Sequence, residues 1–158
     1  MPPKAKIYEA LSAVADQRVT ITGPTAAQVQ SSSHDKIYGV KWSDDISEIT
    51  SNDNASYWQG YIGYPIIAVL MVLGRLDFDG RVAQVLSGIA WKQMNRRFRN
   101  DYDKAVESVL LKLDVEPGLR QRVASEVDKI FTQLETLDLE RLPRRRRPPK
   151  GQAHSKTA

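Results

Sequence analysis

The sequence predicts an α+β fold, in which a small antiparallel sheet of three to four strands packs against a C-terminal helical bundle in a single domain. Residues 18–50 contain alternating apolar and polar runs rich in β-branched side chains, with turn-forming residues between the runs. Residues 65–142 instead repeat apolar side chains at helical spacing. The chain has 158 residues, of which 41% are hydrophobic and 27% charged, as expected of one globular domain.

The β-rich part follows a short amphipathic helix predicted over residues 7–15. The alternation in the third predicted strand places Tyr38, Val40 and Trp42 on one face. Turn-forming residues separate the strands, and the fourth strand is short. The predicted strands span residues 18–22, 26–32, 36–42 and 46–50.

Downstream of the sheet the pattern becomes helical. Pro65 stands where a helix can begin, the eight residues 66–73 are all apolar, and Gly74 is suited to a C-cap. A helix that is apolar on almost every side is expected to be buried. Asp77 or Asp79 is expected to cap the next helix. Further helical patterns cover residues 82–89, 91–99, 102–113 and 119–137, giving four or five helices in this part.

The positive charge is concentrated at the C-terminus. Six of the 23 basic residues follow Leu142 and no acidic residue does, so residues 1–142 hold 17 basic and 19 acidic groups. We therefore predict a single domain over residues 1–142, with a β-rich part at 18–50 and a helical part at 65–142. Residues 143–158 are predicted to form a disordered basic tail, because their composition cannot build a core.

Several classes of function are excluded or disfavoured. The absence of cysteine excludes disulfides, thiolate catalysis and cysteine-ligated zinc. The apolar run at 66–73 is far shorter than the roughly 20 residues that span a bilayer, so we expect a cytoplasmic protein that does not bind membranes. The sequence Ser33-His34-Asp35 resembles a triad only in print, because adjacent residues of a tight loop do not point at one another. We expect no metal and no cofactor.

The stretch 51–76 joins the β part to the α part and is the expected site of function. Four aromatic residues occur within eight positions, beside amide side chains. Such a surface stacks bases or binds peptide segments, whereas the alternative is that the rings cover the core where sheet meets helix. The aromatic residues are Tyr57, Trp58, Tyr61 and Tyr64, and the amides are Asn52, Asn54 and Gln59.

Two basic clusters favour contact with phosphate groups. The first lies in the 91–99 helix, where Lys92, Arg96 and Arg99 share a face. The alternative is a solvated face paired with nearby acids such as Asp101 and Asp103. The second cluster is in the tail, where the alternative is a solubilising terminus. The clusters comprise Lys92, Arg96, Arg97 and Arg99, and Arg144, Arg145, Arg146 and Arg147.

The order of elements from residue 26 to 76 resembles the SWIM zinc-binding module, in which a hairpin leads through a C-x-C-x-D segment to C-x-H at the head of an apolar helix. Asp53 stands at the acidic position, and residues 66–70 resemble the helix. The hairpin pattern is matched by Val29, Ser31, Ser32, Tyr38 and Val40. The zinc ligands are replaced by Ile49, Ser51, Gly63 and Pro65. The resemblance implies a module without zinc that binds nucleic acid or protein.

The segment W-Q-G-Y-I-G-Y-P also resembles one found in an uncharacterised small prokaryotic family, to which no activity is attached.

The sequence as a whole favours a non-enzymatic protein that binds nucleic acid through its basic clusters, with Tyr57 and Trp58 as stacking residues. The first alternative is an adaptor or homo-oligomer that uses the 57–64 surface. The second is an enzyme acting on a small molecule between sheet and helices. Its candidate residues are Asp53, Asn54, Tyr57 and Tyr61.

Overall fold

The computed structural model describes residues 1–56, 60–113 and 116–137, together with the backbone of 140–141. The strands come early in the chain, and most of the helices follow them. In chain order the elements are α1 (Ala5–Ala15), β1 (Val19–Gly23), β2 (Ala26–Gln30), β3 (Ile37–Trp42), β4 (Glu48–Ser51), α2 (Tyr64–Val72), α3 (Gly80–Val85), α4 (Trp91–Arg97), α5 (Tyr102–Lys112), α6 (Leu119–Thr136) and β5 (Glu140–Arg141).

Strands β1 to β4 form an antiparallel meander in which each strand pairs with the next. Because successive side chains of a strand point to opposite faces, β3 buries Tyr38, Val40 and Trp42 and exposes Ile37 and Lys41. This burial confirms the predicted faces of the strand. The predicted α+β class, with the antiparallel sheet followed by several helices packed against it in one domain, is also confirmed.

Helix α2 lies at the centre of the core, between α1 and the sheet. Every residue from Pro65 to Met71 is buried, as the apolar run predicts. The proline lies in the first turn, where it loses no available hydrogen bond, and Gly74 follows the helix with a φ of +77°. Burial of one Leu or Ile side chain contributes about 1.5–3 kcal/mol, so α2 makes a large contribution to stability.

The later helices begin at side-chain caps or at turns. The Asp79 carboxylate accepts a hydrogen bond of 2.8 Å from the Arg81 N–H at the start of α3, so the second of the two predicted caps is used. The Asp101 carboxylate accepts from the Lys104 N–H at the start of α5. Helix α6 follows the turn at Gly118 and buries an apolar stripe. The stripe consists of Leu119, Val123, Val127, Ile130 and Leu134.

A buried hydrogen-bond chain fixes the start of α4 against α1. The Trp91 indole N–H donates to Ser12 Oγ over 2.8 Å, and the Ser12 hydroxyl donates to the Leu86 carbonyl over 2.6 Å. Trp91 is 2% exposed and Ser12 is fully buried, so the contact is sheltered from water. These two hydrogen bonds therefore fix the position of α4 relative to α1.

Several boundaries differ from the predicted ones, and one short strand is additional. Helix α3 covers Gly80–Val85 rather than residues 82–89, and β4 covers Glu48–Ser51 rather than residues 46–50. Helix α4 ends at Arg97 rather than at residue 99, because Arg99 and Asn100 have left-handed φ values of +54° and +64°. Strand β2 ends at Gln30 rather than at residue 32. The short strand β5 pairs in parallel with β4 and was not predicted, since two residues carry no periodicity. The tail predicted at 143–158 lies outside the described residues.

Candidate functional site

A polar cavity of about 660 Å³ opens where α1, the sheet and α4 meet. Its lining comes from α1, the β2–β3 connection, β3, the start of the 51–76 stretch, the first residue of α2, α4 with the turn after it, and the first residue of α5. Burial changes across the lining. The residues at its base are buried, Lys92 and Asn95 on α4 are half-buried, and Arg96, Arg99 and Asn100 at its opening are exposed.

We call Lys6, Glu9, Tyr38 and Asp53 the floor of the cavity. Each is buried, with exposures of 7%, 5%, 7% and 3% respectively. Lys6 and Glu9 reach the floor because α1 is buried along almost its whole length. Their i, i+3 spacing places the two side chains next to each other on the helix surface.

The Lys6–Glu9 pair is a buried ion pair with two further partners. Lys6 Nζ lies 3.0 Å from Glu9 Oε2, and it lies 4.1 Å from the centre of the Tyr102 ring. The Asn95 amide donates to Glu9 Oε1 over 2.9 Å, which links α1 to α4. Burial disfavours the charged form of Lys6, but the Glu9 carboxylate together with Tyr102 and Tyr61 outweighs that effect and raises the pKa of Lys6. The floor therefore keeps a charged lysine.

Asp53 shapes the second part of the floor. Its carboxylate accepts hydrogen bonds from the Ser56 N–H at 3.0 Å and from the Ser56 hydroxyl at 2.8 Å. Gly63 approaches this carboxylate so closely that a side chain at that position would collide with it. This contact places Asp53 and Gly63, the first and last residues of the 53–63 segment, next to each other.

Two tyrosines pack together along one wall. The rings of Tyr38 and Tyr64 meet edge to face, with centroids 6.3 Å apart, and both residues line the cavity. Burial raises the pKa of Tyr38 to about 12 and also raises the pKa of Tyr64. Both hydroxyl groups are therefore protonated at neutral pH and can donate hydrogen bonds.

We call Lys36, Arg96 and Arg99 the rim. All three line the cavity, and the two arginines are exposed. Within the described ranges, none of the three forms an ion pair with an acidic side chain. Neither Asp101 nor Asp103, the alternative partners, forms an ion pair with the rim in the described part of the chain, and the Asp101 carboxylate lies 3.8 Å from Lys104 Nζ.

Lys92 differs from the rim because it has an acidic partner. Its ammonium group lies 2.8 Å from Asp35 Oδ2, and its backbone N–H donates to Ser32 Oγ over 3.0 Å. The hydrogen bond from Lys92, followed by one from Ser33, lowers the pKa of Asp35. Lys92 therefore ties α4 to the β2–β3 connection.

The structure brings together three of the predicted site residues. Lys92, Arg96 and Arg99 line one cavity, although only Lys92 and Arg96 lie on α4, and Arg99 reaches the cavity from the turn after the helix rather than from the predicted helical face. Arg97 is not part of the lining, and its guanidinium lies 5.8 Å from the centre of the Phe98 ring. Tyr57 and Trp58 lie outside the described residues, as do Arg144, Arg145, Arg146 and Arg147.

Sequence reasoning missed most of the floor and part of the rim. Lys6 and Glu9 follow no motif, and an i, i+3 pair of opposite charges is ordinary on an exposed helix. Only the burial of α1 makes the pair unusual, and burial on all sides depends on tertiary packing. Lys36, Asn95 and Tyr102 reach the cavity from separate elements, so no local spacing connects them.

Other candidate sites are weaker. His34 is exposed in the β2–β3 connection with a φ of +62°, and Ser33 donates to Asp35 rather than to the histidine. Among the described residues, no group of three or more His, Cys, Asp or Glu side chains is placed to hold a metal ion. None of the helices in the described ranges has the length and apolar character needed to cross a membrane.

Comparison with models of known protein families shows to which family the chain belongs. A family model described as uncharacterised conserved protein UCP014422 matches residues 1–140. The chain belongs to this family. The match includes every element from α1 to α6 and therefore the whole described lining of the cavity. It agrees with the expectation of an uncharacterised family, and the comparison gives no support to a SWIM module. Searches of curated proteins and of solved structures found no match.

Proposed function

We propose that this member of the UCP014422 family binds single-stranded nucleic acid, with a phosphate group held at the rim of the cavity. The observation that carries the proposal is the convergence of Lys36, Arg96 and Arg99 on one opening, without acidic partners in the part of the chain that the structure describes. These three cations come from the β2–β3 connection, α4 and the turn after α4, and they line the same cavity. Phosphate oxygens are the ligands that such a cluster binds best.

The shape of the site favours a single strand over a duplex. A cavity of about 660 Å³ admits an unstacked unit rather than the regular outer surface of a double helix. The Tyr64 and Tyr102 side chains of the wall offer aromatic groups for contact with a base. In this proposal Tyr57 and Trp58 retain their predicted role as stacking residues, because they precede Tyr64 closely in the chain.

The test compares two arginines of the same helix. We expect Arg96→Gln to weaken binding of a labelled single-stranded oligonucleotide and to lower the slope of log K against log salt by about 0.7, the value of one phosphate contact. Arg97→Gln removes the same charge one residue away, outside the cavity, and we expect it to leave the slope almost unchanged. Fluorescence anisotropy across a salt series measures both.

A tail variant separates the cavity from the basic terminus. In the full chain, replacement of Arg144, Arg145, Arg146 and Arg147 by serine should reduce the salt slope but leave the difference between the Arg96 and Arg97 variants. If binding disappears with the four arginines, the tail is the polycation that binds and the proposed role of the cavity fails. If the unchanged protein does not bind at low salt, the function fails altogether.

A second candidate function is the conversion of a small molecule in the same cavity. Asp53 and Asn54, two of the residues that an enzyme could use, line it, whereas Tyr61 does not. Incubation of the protein with a nucleotide, followed by phosphorus NMR, separates the two candidates. A new resonance supports an enzyme, and an unchanged spectrum contradicts conversion of that nucleotide.

A further inference from the structure

The cavity has two chemically different ends, and this difference restricts its ligand. The rim carries the positive charges of Lys36, Arg96 and Arg99. On the floor, the charges of Lys6 and Glu9 compensate each other, which leaves the carboxylate of Asp53 as the uncompensated charge. A ligand with negative charge along its whole length would meet attraction at the rim and repulsion at the floor.

The floor is suited to hydrogen-bond donors on the ligand. A carboxylate accepts hydrogen bonds only, and its two oxygens offer about four lone-pair sites. The structure assigns two of these sites on Asp53 to Ser56, through the backbone N–H and the hydroxyl. Asp53 therefore retains capacity for donors such as sugar hydroxyl or base amino groups. Beside it, the protonated Tyr38 hydroxyl adds a donor for a ligand oxygen or nitrogen.

The size of the cavity agrees with a ligand the size of a small molecule or of one monomer of a polymer. Its volume of about 660 Å³ lies within the range of about 300–1,000 Å³ that is typical of pockets for small molecules and cofactors. The lining comes from seven parts of the chain, so the ligand would be contacted from several directions. A groove that tracks a long strand would instead present its cations in a row.

We infer that the cavity binds one nucleoside phosphate unit, with the phosphate at the rim and the donor groups of the sugar or base at the Asp53 floor. The choice of ligand class rests on the proposed function. The inference adds two points. One nucleoside phosphate unit is sufficient for recognition, and the acidic floor distinguishes this unit from inorganic phosphate.

The experiment is competition against a labelled single-stranded oligonucleotide bound to the full chain at low salt. The competitors are a nucleoside monophosphate, the matching nucleoside and inorganic phosphate. We expect the monophosphate to displace the oligonucleotide at concentrations at least about tenfold lower than either of the others, since each of the others lacks the contacts at one end of the cavity. Arg99→Gln should weaken the monophosphate about tenfold, and Arg97→Gln should not.

An Asp53→Asn variant tests the floor. The expected result is a smaller preference for the monophosphate over inorganic phosphate, and a ratio of two affinities does not depend on the fraction of protein that is folded. Equal competition by inorganic phosphate and monophosphate would overturn the inference. An oligonucleotide that binds but resists millimolar monophosphate would also overturn it and leave the proposed function standing. If the oligonucleotide does not bind, the proposed function itself fails.

Discussion

At the scale of the residue, Gly63 is the position with the least room for a side chain. A Cβ there would lie 2.8 Å from Asp53 Cγ and still closer to one carboxylate oxygen. The carboxylate cannot simply turn away, because Asp53 is 3% exposed and both of its oxygens accept hydrogen bonds from Ser56. The requirement for glycine is therefore one of space.

We expect Gly63→Ala to lower the free energy of unfolding by about 1–3 kcal/mol, as overpacking of a closed site does. Gly80→Ala is the matched control, because no atom lies within 4 Å of the added methyl group at the start of α3. That change should be neutral or stabilise by up to about 1 kcal/mol. Urea denaturation followed by circular dichroism measures both. Equal effects of the two substitutions would contradict the steric explanation.

At the scale of the element, α1 carries a charged pair inside the core. Removal of one partner leaves the other charge buried without compensation, which typically costs about 3–5 kcal/mol. We therefore expect Lys6→Met and Glu9→Gln to be strongly destabilising when made singly. The combination of both should cost clearly less than the sum of the two, and a double-mutant cycle in urea measures the difference. Additive effects would show that the two charges act independently.

The elements also show which parts of the fold can be predicted from sequence. Helices α2 and α6 were predicted because a long apolar run and a sustained apolar stripe depend only on local spacing. Strand β5 was not, because a two-residue strand forms only when a distant partner is present. The same distinction applies to the site. Lys92 and Arg96 share the local register of α4, whereas Arg99 lies in the turn after the helix, and Lys6 and Lys36 join them only through tertiary packing.

At the scale of the whole molecule, the raised pKa values of buried groups predict a loss of stability at alkaline pH. Burial raises the pKa of Tyr38 from 10.0 to about 12, and the same cause raises that of Tyr8 and Tyr64. A raised folded-state pKa stabilises the protein fully below the unfolded-state value, and this contribution is lost as the pH rises through the folded-state value. The raised pKa of Lys6 acts in the same direction.

We expect the free energy of unfolding to decrease as the pH rises from about 10 to about 12, where unfolded tyrosines ionise and buried ones do not. Tyr38→Phe should remove about 2 kcal/mol of that decrease, since one unit of pKa shift corresponds to about 1.4 kcal/mol. Urea denaturation at a series of pH values measures the effect. A pH profile that is identical in the variant would contradict the assignment to Tyr38.

The Lys6–Glu9 pair also has a consequence for the evolution of the sequence. If the loss of either charge alone destabilises the core, a descendant that discards one of them passes through a poorly folded intermediate before it can discard the other. Natural selection then acts on the two positions as a single unit. The polarity of the cavity floor is in this way protected by the folding of the protein, even in a lineage that no longer uses the cavity.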